Sequence, residues 1–230
     1  MFFPRLFSWI KNKKNNKYIQ NQKNNELIQI LKKEGISDGK VLSAIKKSPR
    51  ELFVDQDSIP RAYENIALPI ECGQTVTQPY VVAYMISCLK LKKTDRILEV
   101  GTGTGWQTSI LSFCCKEVFT IERFNALLVK AKGNIAKLKI RNVRFKLGNG
   151  FDGWGQEILF DAIIISAASE DIPIKLLRSI KSEGYIIMPK KYSIENQKLL
   201  LIKKTSENSF DQKELLDVKF VPLINKPIIK

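Results

Sequence analysis

Ile97-Leu-Glu-Val-Gly-Thr-Gly-Thr-Gly-Trp-Gln107 is the stretch on which the reading of this chain turns. Residues 96–100 read as a short strand and residues 105–115 as the helix that follows it. Between them Gly101, Gly103 and Gly105 let the backbone turn tightly and approach a ligand closely, with the free amides of the helix start behind. A dinucleotide loop follows Gly-x-Gly-x-x-Gly, which needs glycine at position 106. Trp106 stands there, one place after Gly105, and a bulky ring suits neither the close helix packing nor the pyrophosphate of such a site. The acid just before the loop, Glu99, also disfavours a diphosphate.

A second acid follows about 20 residues on, where a nucleotide-binding fold places a carboxylate for two ribose hydroxyls. Glu122 ends the next strand there; a strand-end surface acid is the alternative. The third strand runs into Gly148-Asn-Gly150, where Asn149 either faces an adenine or forms a turn. Together these features point to a nucleoside-containing cofactor, S-adenosylmethionine (AdoMet) rather than NAD. Gly101, Gly103, Thr104 and Gly105 are expected at its methionine end, with Glu99 helping to hold that cationic end directly or through water. Trp106 either packs under the cofactor or fills the layer between helix and sheet.

Outward from the loop, strands and helices alternate: strands at 117–122, 142–147, 160–166 and 184–188, helices at 125–138 and 172–180. Residues 160–166 are a run of the kind buried on both faces of a sheet. This alternation implies an α/β fold, a doubly wound, mostly parallel sheet of Rossmann-like type, with the ligand crevice at the carboxyl ends of the central strands. Residues 197–203 and 215–222 are expected to close it as an antiparallel pair. Before the sheet lie a helix from Glu26 to Gly35, with Leu27, Ile30 and Leu31 inward, and a second over 38–47. Residues 48–80 then read as a long loop carrying many apolar anchors, usually a functional segment or a lid. Residues 1–25 read as a basic, mobile extension. Residues 26–230 read as one domain, with 26–94 a helical and substrate-loop addition and 95–230 the cofactor-binding core.

Composition narrows the chemistry. The 230 residues include 38 Lys/Arg and 23 Asp/Glu but no His. Ser-His-Asp and Cys-His catalysis are therefore excluded, as is a Cys/His metal set; no metal is expected. The four cysteines form no C-x-x-C pair and suit a reducing cytoplasm. The net charge of +15 accompanies a Lys, Asn and Ile richness that needs no polyanionic partner, so no specific nucleic acid is expected. No stretch is long and apolar enough to cross a membrane.

With these pieces placed, the chain resembles the protein-L-isoaspartate O-methyltransferases from about residue 49 to 222. The resemblance rests on Pro49-Arg-Glu-Leu-Phe-Val54, Ala67-Leu-Pro-Ile70, Gly73-Gln-Thr-Val-Thr-Gln-Pro-Tyr80, residues 97–107, Phe160-Asp-Ala-Ile-Ile-Ile-Ser-Ala-Ala168 and Phe220-Val-Pro-Leu223. The blocks before the sheet are the more specific, because methyltransferases at large share the glycine loop. The resemblance implies a cytoplasmic, monomeric repair enzyme. It would transfer a methyl group from AdoMet to the free carboxylate of L-isoaspartyl or D-aspartyl residues in damaged proteins, and the ester would collapse to a succinimide. It makes Thr77 the catalytic hydroxyl and the 73–80 loop the grip on the substrate carboxylate. Gln74, Thr75, Val76 and Arg123 join the cofactor set. Asp161 matches a family position whose role is catalytic or structural.

Three departures stand out. The family typically has Ser where this chain has Thr77. Its Gly-Asp-Gly is Gly148-Asn149-Gly150 here, which keeps an acceptor for the adenine amino group but loses a charge. Its glycine-rich run around the fifth strand is replaced by Ser182-Glu-Gly184 and Pro189-Lys-Lys191, a rim whose lysines would favour acidic peptides. These substitutions keep two alternatives open: a homologue that binds AdoMet with lost or altered catalysis, and a methyltransferase acting on another substrate such as nucleic acid.

Overall fold

The structure, a computed structural model, describes residues 4–155, 158–207 and 209–226. Its first helix, α1 (Pro4–Lys33), begins far before Glu26. No Gly or Pro falls between Arg5 and Glu34 to stop it, so the helix runs unbroken through residue 25. Residues 1–3 lie outside the described residues. The buried stripe near its end is Leu27, Ile28 and Leu31, while Ile30 is partly exposed. Asn24 is also buried and donates from Nδ2 to Lys46 O at 3.0 Å. The helix closes at Gly35, which takes φ 98° while Ile36 N bonds back to Leu31 O. In α2 (Gly39–Lys47), Asp38 caps the start by accepting from Lys40 N and Val41 N, and Val41, Leu42, Ala44 and Ile45 face the core.

Residues 48–80, read as a loop, hold short 3-10 turns and a small hairpin, β1 (Leu68–Ile70) with β2 (Gln74–Val76). Three-residue strands are too short to show a period-two pattern. The helix α3 (Pro79–Cys88) follows, with Pro79 in its first turn.

The core then runs β3 (Arg96–Val100), α4 (Trp106–Cys114), β4 (Glu117–Glu122), α5 (Asn125–Lys137), β5 (Val143–Leu147), β6 (Phe160–Ile165), α6 (Ile174–Ser179), β7 (Ile180–Lys191), β8 (Gln197–Lys204) and β9 (Phe210–Asp217). The seven core strands form one sheet in the order β5-β4-β3-β6-β7-β8-β9. Pairs from β5 to β7 are parallel, and β8 is antiparallel to both neighbours. This is the doubly wound, mostly parallel sheet read from the sequence. The order in which successive strands are added reverses between the parallel neighbours β3 and β6, which opens a crevice at their carboxyl ends. The parallel strands are apolar on both faces: Ile97, Ala162 and Ile164 belong to the core shared with the N-terminal helices, and Leu98, Val100, Ile163 and Ile165 to a second core on the other face.

The last strand falls at 210–217 rather than 215–222. Phe210-Asp-Gln-Lys-Glu214 is too polar for a buried strand but suits an outer one, where charged side chains discourage further pairing. The apolar residues beyond it leave the sheet: Pro222 bridges Ala168, and the segment carries Phe220 and Val221 to the crevice.

Candidate active site

The loop after β3 is shaped by its glycines. Gly101, Gly103 and Gly105 have φ of 97°, 55° and 98°, values that side chains on L-residues rarely adopt. They do different jobs. Gly101, Gly103 and Thr104 line a cleft with the β1–β2 hairpin opposite. Gly105 does not; a Cβ there would meet Ala131 of α5 at 3.3 Å, so this glycine lets two helices approach. Thr104 lines the cleft, but its hydroxyl donates to Phe53 O at 2.5 Å.

Glu99 stands behind the wall instead of on it. It is fully buried, and it accepts from Gln107 Nε2 at 3.0 Å, Thr108 Oγ1 at 2.5 Å and Thr120 Oγ1 at 2.6 Å. This corrects the expectation of direct contact with the cofactor. Period two puts Glu99 on the face opposite Leu98 and Val100, toward α4. It reaches the cleft through Gln107, whose amide also donates to Ser166 Oγ at 2.9 Å, and through Thr120, whose hydroxyl pairs with that of the cleft-lining Thr102 at 2.6 Å. Burial raises the Glu99 pKa to about 7, against the opposing effect of its three donors.

Glu122 ends β4 at the cleft wall. Its Oε2 accepts from Gly103 N at 2.8 Å, and its Oε1 from Arg123 N and Phe124 N. Burial raises its pKa, while those backbone donors and the Arg123 charge lower it. A second recess adjoins across Glu122, lined by Val100, Ile121, Arg123, Phe124, Gly148 and Gly150. Glu122, Gly101 and Gln74 face both. A carboxylate between a glycine-loop cleft and a recess of mixed polar and apolar lining suits the ribose of a nucleoside whose base would lie in the recess. Gly150 has no room for a side chain, since a Cβ would collide with Val100 Cγ1. Asn149 takes the turn alternative: its Oδ1 accepts from Phe151 N at 3.1 Å and its Nδ2 donates to Asn225 at 3.2 Å, and it is not on the recess wall.

Gln74, Thr75, Val76 and Thr77 form the opposite wall of the cleft. Thr75 and Thr77 also line a third recess with Ala67, Gln78, Asp217 and Lys219. Thr77 therefore stands where the cleft and this recess meet. Its hydroxyl makes no hydrogen bond to another described residue. Its carbonyl accepts from Arg50 Nη2 at 3.1 Å.

Several wall residues were not read from sequence: Gln107, Ser166, Val82, Leu127, Phe220 and Val221. Gln107 lies next to the glycine loop, and Ser166, Phe220 and Val221 fall in stretches that carry the family resemblance; Val82 and Leu127 come from helices that gave no such signal. Asp161 is away from the cleft, accepting from Arg96 N at 2.8 Å and from Lys181 Nζ at 2.7 Å. On the rim, Lys191 pairs with Glu170 at 2.9 Å and Lys190 lies over the Tyr192 ring.

Comparison with known proteins agrees with this geometry. A family model described as protein-L-isoaspartate(D-aspartate) O-methyltransferase matches residues 21–227. A protein-L-isoaspartate O-methyltransferase of Parvibaculum lavamentivorans is 44% identical over 196 residues, covering 84% of this chain and 88% of the relative. That of Dictyoglomus thermophilum is 45% identical over 194 residues, covering 84% and 87%. Among solved structures, a protein-L-isoaspartate O-methyltransferase superposes with a TM-score of 0.79 at 28% identity, over 86% of this chain and 65% of that chain. One from Plasmodium falciparum, in complex with S-adenosyl-L-homocysteine, gives 0.77 at 25% identity, over 87% and 98%.

Proposed function

The chain belongs to the protein-L-isoaspartate(D-aspartate) O-methyltransferase family, and from that premise we propose that it methylates the free carboxylate of L-isoaspartyl and D-aspartyl residues in damaged proteins, with AdoMet as donor. The observation that carries this reading is the unengaged Thr77 hydroxyl at the junction of two recesses.

AdoMet supplies a methyl group activated by its sulfonium centre. A carboxylate is already a nucleophile, so no residue has to remove a proton, which suits a chain without His. The protein's task is alignment and exclusion of water. Thr77 Oγ1 donates to the substrate carboxylate and orients one oxygen toward the cofactor cleft. Gly101, Gly103 and Thr104 hold the methionine end, and Glu122 accepts from the ribose hydroxyls. Gly150 and Arg123 flank the base. Val76, Val82, Leu127 and Phe220 give the reaction zone apolar walls. Glu99 and Asn149 act from behind the wall, through Gln107 and through the 150–152 turn. Gly105 serves by letting α4 approach α5.

The same reading makes residues 26–230 one domain. Leu27, Ile45 and Phe53 of the addition share a continuous core with Ile97, Ile164 and Leu199 of the sheet. Among the described residues no helix is long and apolar enough to cross a membrane. We place the enzyme in the cytoplasm as a monomer, acting on isoaspartyl-containing proteins and peptides; the free state of all four cysteines fits a reducing compartment.

The test is transfer of labelled methyl from AdoMet to an isoaspartyl peptide and to its normal-aspartyl twin. Selective labelling of the first is expected. Equal labelling, or cofactor binding without transfer, overturns the substrate assignment, and labelling that depends on added RNA favours a nucleic-acid substrate. Thr77→Val keeps the shape and removes the donor. A hydrogen bond to a charged group is worth about 1.5–3 kcal/mol, so kcat is expected to fall roughly ten- to a hundredfold with affinity for S-adenosylhomocysteine intact.

A further inference from the structure

Arg50 is completely buried, and no carboxylate among the described residues bonds to it. Its guanidinium is met by five backbone carbonyls. Nη1 donates to Ala62 O at 3.0 Å and Glu64 O at 3.2 Å. Nη2 donates to Ile66 O at 2.9 Å, Val76 O at 3.3 Å and Thr77 O at 3.1 Å. Its Cζ stacks over the Trp106 ring, 4.8 Å from the centroid. Burying an unpaired charge is costly, and proteins keep one buried only where its surroundings compensate it. The compensation here comes from carbonyl dipoles and an aromatic face. Burial pulls the guanidinium down to about 9, so it stays charged at neutral pH.

The five acceptors belong to two separate segments. Three come from the turn at 62–66, which leads into β1. The other two, Val76 O and Thr77 O, are successive carbonyls at the end of β2, and fixing both peptide planes fixes the direction of the Thr77 side chain between them. The ring beneath, Trp106, begins the helix that follows the cofactor loop. Arg50 is thus the point where the acceptor loop, its supporting turn and the cofactor loop are referred to one another.

We propose that Arg50 is a positioning residue for methyl transfer: acting through the Val76 and Thr77 carbonyls, it aims the Thr77 hydroxyl at the junction of the cofactor and substrate recesses. This rests on the function proposed above. A merely structural arginine would alter how much protein is folded, but not how each folded molecule treats its acceptor.

The test uses Arg50→Lys, because an ammonium has three donors for five carbonyls and no planar face for Trp106, and Arg50→Met, which has none. Sites competent to bind S-adenosylhomocysteine are counted by calorimetric titration, and kcat and KM for an isoaspartyl peptide are expressed per competent site. For Arg50→Lys the S-adenosylhomocysteine Kd is expected within about threefold of the parent, while kcat/KM falls at least about tenfold, the equivalent of one charge-assisted hydrogen bond. Amide hydrogen exchange is expected to rise over residues 62–78 and to stay unchanged over 117–122. Unchanged kcat and KM per competent site in Arg50→Lys overturns the proposal, whatever the exchange over 62–78 shows and even if Arg50→Met does not fold. If the parent transfers no methyl group, the functional reading fails, and the exchange measurement still decides whether Arg50 holds the loop.

Discussion

Replacing Glu99 by glutamine should change the pH dependence of stability by an amount the structure sets. Glu99 is fully buried. Burial, helped by the charge of Glu122, lifts its pKa from the ordinary 4.5 to about 7, despite donors from Thr108, Thr120 and Gln107. In the unfolded chain the same carboxyl ionises near its ordinary value. A carboxyl whose pKa is raised by folding stabilises the native state fully below about pH 4.5. It loses that contribution as pH rises to about 7, and the loss is then complete. At about 1.4 kcal/mol per pH unit, the change sums to roughly 3 kcal/mol, a large share of the roughly 5–15 kcal/mol that holds most domains folded. The glutamine side chain has nearly the same shape, can still accept from both threonines, and does not titrate. Urea unfolding of parent and variant between pH 4.5 and 8 isolates the effect, because groups common to both cancel in the difference. The parent should lose roughly 3 kcal/mol relative to Glu99→Gln across that window, with most of the change between pH 4.5 and 7. Parallel stability curves would refute the reasoning, and so would a parent that gains on the variant as pH rises.

Two further substitutions separate packing from chemistry. Gly150→Ala puts a methyl group onto Val100 Cγ1 and within 3.2 Å of Leu223 Cδ1; the stiff valine cannot move aside, so a loss of about 1–3 kcal/mol in urea unfolding and weaker S-adenosylhomocysteine binding are expected, and unchanged values for both would show that the recess can relax. Asp161→Ala removes the acceptor for Arg96 N and a half-exposed pair with Lys181; because such pairs are worth little, a loss of about 1 kcal/mol is expected with kcat unchanged, and a fall in kcat would restore the catalytic alternative.

The sequence showed most where one short signal carries one structural consequence. The parallel core was legible because Phe160-Asp-Ala-Ile-Ile-Ile165 and Ile97-Leu-Glu-Val100 are apolar runs separated by helical stretches. The cofactor end was legible because positive-φ glycines and a strand-end acid sit at fixed offsets. Four things were not. The β1–β2 hairpin is too short to have a period. The direction of Glu99 depends on which face of β3 meets α4, and a strand buried on both faces gives no hint of that. The far wall at Phe220 and Val221 exists because residues 218–223 leave the sheet and bridge back to Ala168, a long-range event with no local signature. The continuation of α1 back to Pro4 was hidden by composition: a Lys/Asn run reads as disorder, yet contains nothing that ends a helix.

The residue that disqualified the glycine loop as a dinucleotide site has a second consequence. A third glycine at 106 would let the helix settle against the strand and present its start to a pyrophosphate. Trp106 instead turns its ring into the N-terminal addition. Its Nε1 donates to Ser48 O at 2.9 Å, and its face lies beneath Arg50. Two residues earlier Thr104 is committed in the same direction, donating to Phe53 O. Residues 104 and 106 of the cofactor loop thus fasten the segment 48–53, and Arg50 within that segment fastens Thr77. Two bonded steps therefore join the loop that methyltransferases share to the loop that carries Thr77. The blocks before the sheet are more specific than the glycine loop for this reason: Pro49-Arg-Glu-Leu-Phe53 has to match both the ring of Trp106 and the carbonyls of the acceptor loop, whereas the glycines have to match only the cofactor.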